Sequence, residues 1–286
     1  MPKITSHDGT GIYYEEAGAG TPVVFIHEFA GDYRTWEPQM RYFARRHRCV
    51  TFSARGYPPS DVPGDPARYG QDIARGDVIA LLDALGIGKA HIVGHSMGAY
   101  TALHVGIGHR ERCISVTAAG CGWGSLPDPA AREAMRKVAA ATALMFIEKG
   151  MAEAGAIYAD NPTRLTYKYK DPRGFAEFSR MLAEHSAQGH ALTMSMLQAR
   201  RPTLWEMEAD LLKFSVPLLV IVGDEDESCL EGSLFLKRTV PTAGLLVVPR
   251  TGHTITSEEP ATVNAALADL FVAAEAGRWL AHRPPG

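Results

Sequence analysis

Short, unbroken apolar runs alternate with amphipathic stretches along the first 120 or so residues. Val23-Val24-Phe25-Ile26-His27, Cys49-Val50-Thr51-Phe52-Ser53, Ala90-His91-Ile92-Val93 and Cys113 to Ala119 read as strands buried on both faces. Between them, Trp36, Met40, Tyr42 and Phe43 mark one helix. Ile73, Val78, Leu81, Leu82 and Leu85 mark a second, from about Asp72 to Leu85, which Gly86 and Gly88 end. Residues 3–18 predict a hairpin around Asp8-Gly9, and the Pro- and Gly-rich run Ala54 to Arg68 predicts a long surface loop. Strands alternating with helices in this way predict a parallel sheet wound with helices on both faces.

The alternation stops at Gly120-Cys121-Gly122-Trp123-Gly124. From about Pro127 to Glu206 the spacing is helical, with no convincing strand, and Met and aromatic residues recur. The sheet pattern resumes at Pro217 to Gly223, followed by a helix over Leu230–Val240, a strand over Gly244–Val248, a last helix from about Pro260 to Ala276 and a loose tail from Ala281. The expected organisation is α/β: a first core part over 1–122, a helical cap inserted over 123–206, and a second core part over 207–286.

Composition narrows the partners. The net charge of −3 is spread without a basic stripe, which points away from nucleic acid and anionic membranes. No apolar run reaches membrane-spanning length, and the N-terminus lacks a charged-then-apolar signal layout. The four cysteines have no metal-ligand spacing and read as buried free thiols of a reducing compartment. The expectation is a cytoplasmic protein acting on a small molecule, with a homodimer allowed and no cofactor or metal.

The candidate chemistry centres on Gly94-His95-Ser96-Met97-Gly98, placed between a strand and a helical pattern. This is the G-x-S-x-G pattern of a nucleophile elbow, in which a strained turn lifts one hydroxyl clear of the sheet. A serine hydroxyl needs a neighbouring base at neutral pH. Of eleven histidines, His253 fits best, because it follows the last strand. His95 adjoins Ser96 but points away around the turn, and His27 is expected to support its own loop; His91, His104 and His109 read as structural. The base needs a carboxylate to orient it, and Gly223-Asp224-Glu225-Asp226-Glu227 offers four acids at one strand end. Spacing alone leaves Asp224 and Asp226 both open.

The order serine, acid, histidine is that of α/β-hydrolases. With Phe25-Ile26-His27, Arg55-Gly56-Tyr57, the elbow, Gly223 to Asp226 and Gly252-His253, nearly the whole chain resembles a capped α/β-hydrolase of the kind that includes meta-cleavage-product hydrolases, enol-lactonases, esterases and haloperoxidase-like enzymes. The resemblance implies the α/β-hydrolase fold and, through the family's G-x-x-D pattern, Asp226 as the acid. It also implies Ser96 as nucleophile, His253 as base, and an oxyanion hole from the backbone N–H groups of Met97 and Phe29. The implied activity is hydrolysis of a small carboxylic ester or lactone through an acyl-enzyme. A C–C bond hydrolase, a cofactor-free oxygenase or a hormone-receptor-like protein on the same fold are the rivals.

Two departures stand out. The residue after His27 is normally Gly and here is Glu28, whose charge opposes the one that develops in an oxyanion hole. It is expected to pair with a cation such as Arg55 or to touch substrate. Ser53 stands where the family has Asp. Trp123, at the hinge into the cap, is the leading candidate for substrate contact, with Glu28 and Arg55 as further candidates.

Overall fold

The apolar runs form the sheet. The computed structural model describes residues 2–281, and its strands are β1 (Lys3–Thr5), β2 (Gly11–Ala17), β3 (Thr21–Ile26), β4 (His47–Phe52), β5 (Ala90–His95), β6 (Cys113–Ala119), β7 (Leu218–Gly223) and β8 (Ala243–Val248). They form one eight-stranded sheet in the order β1-β2-β4-β3-β5-β6-β7-β8. β1 and β2 pair antiparallel, as does β2 with β4, and β4 through β8 are joined by parallel ladders. The tail expected after Ala281 lies outside the described residues.

Register decides what the sheet presents. Ile26 lies opposite Gly94, His95 opposite Ala119, and Gly223 opposite Val248. The loops that follow β3, β5, β6, β7 and β8 therefore leave from one edge, where ligands bind in parallel sheets.

The helices α1 (Glu37–Phe43), α2 (Gln71–Ala84) and α3 (Met97–Gly108) alternate with the early strands. On one face Val78, Leu81, Leu82 and Leu103 pack on Val24, Ile92 and Val116. On the other, Trp36 and Phe43 meet Leu267 and Phe271 over Phe25 and Val93. Leu267 and Phe271 come from α11 (Pro260–Glu275). Each such fully buried side chain contributes roughly 1.5–3 kcal/mol by removal from water.

Between β6 and β7 the chain is helical: α4 (Pro129–Ala159, broken at Gly150), α5 (Leu165–Lys170), α6 (Pro172–Ala183), α7 (Ala187–Leu192), a π-helical turn over Thr193–Gln198 and the short α8 (Glu208–Leu211). Its Met and aromatic residues, including Phe146, Met151, Phe175 and Phe178, pack together with Phe29 and Tyr57. After β7 come α9 (Glu227–Thr239), three residues ahead of its expected start, and α10 (Ile255–Glu258).

One sequence expectation fails. The run from Ala54 to Arg68 is not simply a surface loop, because Arg55, Gly56, Tyr57 and Ser60 are buried. The insert lies on it: a Cβ at Gly189 of α7 would overlap the Gly56 carbonyl. Polar and glycine-rich composition cannot reveal that a later segment returns to cover a loop.

Candidate active site

The turn from β5 into α3 holds Ser96 at φ 52°, ψ −108°, a conformation costly for a residue with a Cβ. The surrounding structure enforces it. The Ser96 N–H donates to the Ala119 carbonyl at 2.7 Å. A Cβ at Gly94 would overlap the Gly98 carbonyl, and one at Gly98 would overlap the Ile26 carbonyl. Both glycines are therefore required by close backbone approach.

Three side chains from different strand ends form a line. Ser96 Oγ lies 2.8 Å from His253 Nε2, and His253 Nδ1 lies 2.7 Å from Asp226 Oδ2. Asp226 is fully buried and takes a further hydrogen bond from Ser228 Oγ at 3.1 Å. Burial pushes its carboxyl up, but His253 and the neighbouring donors outweigh that and hold it at about 2. An ionised Asp226 accepts the Nδ1 proton, which leaves Nε2 free to accept from the Ser96 hydroxyl. The rival Asp224 is exposed and accepts the Thr251 N–H at 3.2 Å, so it shapes the loop before His253.

The other histidines near the elbow support it. His95 Nε2 donates to the His253 carbonyl at 2.7 Å, behind the turn. His27 Nδ1 donates to the Glu28 carbonyl at 2.6 Å, and its Nε2 accepts the Ala54 N–H at 2.9 Å. Burial lowers both rings to about 4, so they are neutral. Cys229, in the first turn of α9, is also buried here, with Sγ 3.8 Å from His253 Nδ1.

Glu28 is buried and ion-paired, but not with Arg55. Its partner is Arg164 of the insert, with Nη2 2.5 Å from Oε2. Burial disfavours the Glu28 charge, yet the Arg164 guanidinium holds its carboxyl down at about 2. Arg55 faces elsewhere: it pairs with Asp77 at 2.6 Å and Asp8 at 2.7 Å, beside a separate apolar pocket. Its expected role in substrate binding is thereby corrected. Asp8, in the turn between β1 and β2, and Asp77, on α2, hold Arg55 from 47 and 22 residues away along the chain.

A cavity of about 160 Å³ opens over Ser96 and His253. Phe29, Trp123, Tyr158 and Met194 supply apolar wall, while Glu28, Arg164 and Gln198 supply polar groups. Trp123 stands in this wall. Met97 is the first residue of α3, where a helix leaves its amides without intrahelical acceptors.

The insert contributes groups that the sequence did not reveal. The N–H of His253 donates to the carbonyl of Thr163 at 2.8 Å. Asn161 caps that turn, its Oδ1 accepting the Thr163 N–H at 3.0 Å. Asp32 accepts from His185 Nε2 at 3.0 Å, and His190 packs its ring 4.7 Å from Phe29. Arg164, His185 and His190 lie in a helical region where no motif marks one polar residue above another.

The chain matches the model of the alpha/beta hydrolase fold over residues 21–260. It belongs to that family. Among curated proteins it is 28% identical to 3-oxoadipate enol-lactonase 1 of Acinetobacter baylyi over 212 residues, 71% of each chain. It is 31% identical to an epoxide hydrolase of Caballeronia sordidicola over 154 residues, covering 54% of this chain and 47% of that one. The crystal structure of the enol-lactonase from Burkholderia xenovorans LB400 superposes with a TM-score of 0.82 at 20% identity, covering 95% of this chain and all of that one. As a member of this family with these relatives, the protein is a hydrolase. None of its helices is long and apolar enough to cross a membrane among the described residues.

Proposed function

We propose that the protein cleaves a small carboxylic ester or lactone through an acyl-enzyme on Ser96. The observation that carries the reading is the continuous line Asp226–His253–Ser96 at 2.7 and 2.8 Å beneath a cavity. In this scheme His253 takes the Ser96 proton as Oγ attacks the substrate carbonyl. Asp226 holds the imidazole tautomer and stabilises the imidazolium. The N–H groups of Met97 and Phe29 receive the developing oxyanion, a pair of donors worth about 3 kcal/mol of barrier each. Collapse of the tetrahedral intermediate expels the alcohol, protonated by His253. Water, deprotonated by the same histidine, then releases the acid.

A serine at the elbow supports acyl transfer over epoxide opening, since the hydroxyl rather than a carboxylate is presented to substrate. Neutralisation of Glu28 by Arg164 supports a working oxyanion hole, because the pair leaves little net charge beside it. The four free, buried cysteines support a reducing compartment, the cytoplasm. The test is a pre-steady-state assay with p-nitrophenyl butanoate. A stoichiometric burst of p-nitrophenol, lost in Ser96→Ala, is expected; hydrolysis that persists in Ser96→Ala would overturn the reading.

A further inference from the structure

Two buried polar atoms of residues in the cavity wall have no partner among the described residues, Arg164 Nε and Gln198 Oε1, and only the second is an acceptor. Gln198 is the last residue of the π-helical turn that follows α7, and it lines the cavity over Ser96. Its side chain is buried, at 3% exposure, and its Oε1 has no hydrogen-bond partner among the described residues. A buried carbonyl oxygen left unpaired is costly, and its loss is recovered only when a donor reaches it. The neighbouring polar groups are already engaged: Glu28 with Arg164, Ser228 with Asp226, and Asn161 with its own turn.

The backbone shows the same bias. A π-turn inserts an extra residue into a helix and recurs where function sets the geometry. Here the turn carries both Met194 and Gln198 into the wall of one cavity.

We infer that Gln198 is a specificity-determining residue, whose carboxamide oxygen accepts a hydrogen bond from a hydroxyl or amide N–H on the substrate, away from the scissile carbonyl. The substrate class is then a small ester or lactone bearing such a donor, rather than a plain alkyl ester. The inference rests on the serine-hydrolase reading above and deepens it.

Isosteric substrate pairs test it by pH-stat: methyl 3-hydroxybutanoate against methyl 3-methylbutanoate, 2-hydroxyethyl butanoate against propyl butanoate, and methyl N-acetylglycinate against methyl 4-oxopentanoate. In at least one pair the donor-bearing member is expected to show about tenfold higher kcat/KM. Gln198→Leu should bring that ratio to near one, a loss of discrimination within the pair that general loosening of the cap, which slows both members alike, would not give. Gln198→Met serves if the leucine variant does not fold. Equal rates within every pair in the wild-type enzyme, or a ratio unchanged in the variant, would overturn the inference. Loss of all turnover in Ser96→Ala, measured alongside, shows that the hydrolase reading stands even if this one falls.

Discussion

Arg164 of the helical insert reaches Glu28 of the loop after β3, closing an ion pair of 2.5 Å in which both side chains are buried. The pair joins the insert to the loop that carries Phe29. The same turn of the insert, through the Thr163 carbonyl, holds the N–H of His253. The loops that carry His253 and Phe29 are thus both tied to one three-residue turn, Pro162–Arg164.

Breaking the pair leaves one buried charge without its partner. Glu28→Gln and Arg164→Met are each expected to lower the unfolding free energy by about 3–5 kcal/mol, read from urea titrations followed by circular dichroism. The double variant Glu28→Gln, Arg164→Met should recover much of that loss, since no isolated charge remains. Losses that simply add would show that the two residues act independently.

Removal of the nucleophile or the orienting acid should leave the fold intact. Ser96→Ala and Asp226→Asn are each expected to reduce kcat by at least about 10³-fold, with little change in Tm for Ser96→Ala and a lower Tm for Asp226→Asn, which loses a carboxylate that stabilises the folded state. Asp224→Asn, which alters only the loop, should stay within about tenfold of wild type, a comparison made with one p-nitrophenyl ester.

Gly252 is packed so that a Cβ would overlap Thr163, whose carbonyl receives the His253 N–H. Gly252→Ala should push the base away from Ser96 and cost on the order of 100-fold in kcat, because displacements near 1 Å suffice for that. Steady-state kinetics would show this as a fall in kcat larger than any change in KM.

Stability should be lost on acidification in two stages. His27 and His95 are buried and His104 is half-buried, and all three are lowered to about 4 from the ordinary 6.5. Below pH 6.5 the unfolded chain binds protons that the native histidines do not, so stability falls between about 6.5 and 4. Each such group contributes up to about 3 kcal/mol. Glu28 and Asp226, lowered to about 2, contribute stability that is present above about pH 4.5 and disappears as pH falls toward 2. Acid unfolding followed by tryptophan fluorescence should show a slope already above pH 5, and His104→Gln should flatten it. A flat stability profile from pH 7 to 5 would contradict the buried neutral histidines.

The sequence by itself determined the sheet and the line of side chains at its edge. Apolar runs such as Val23–Ile26 and Leu218–Val222 can only be buried, and glycine at 94 and 98 with serine between them forces one backbone geometry. Chain order then separates Ser96, Asp226 and His253 onto the ends of β5, β7 and β8. Asp226 needed the family resemblance, because Asp224 was equally placed by spacing. The partner of Glu28 was decided only in three dimensions. Arg55 lies nearer in sequence, but Asp8 and Asp77 occupy it, while Arg164 arrives from a turn of the insert 136 residues away. The cavity wall formed by Trp123, Tyr158 and Gln198 likewise depends on how the insert folds back over the sheet. Helical periodicity shows which residues face a helix's neighbours but not which neighbours those are, so specificity belongs to the tertiary structure.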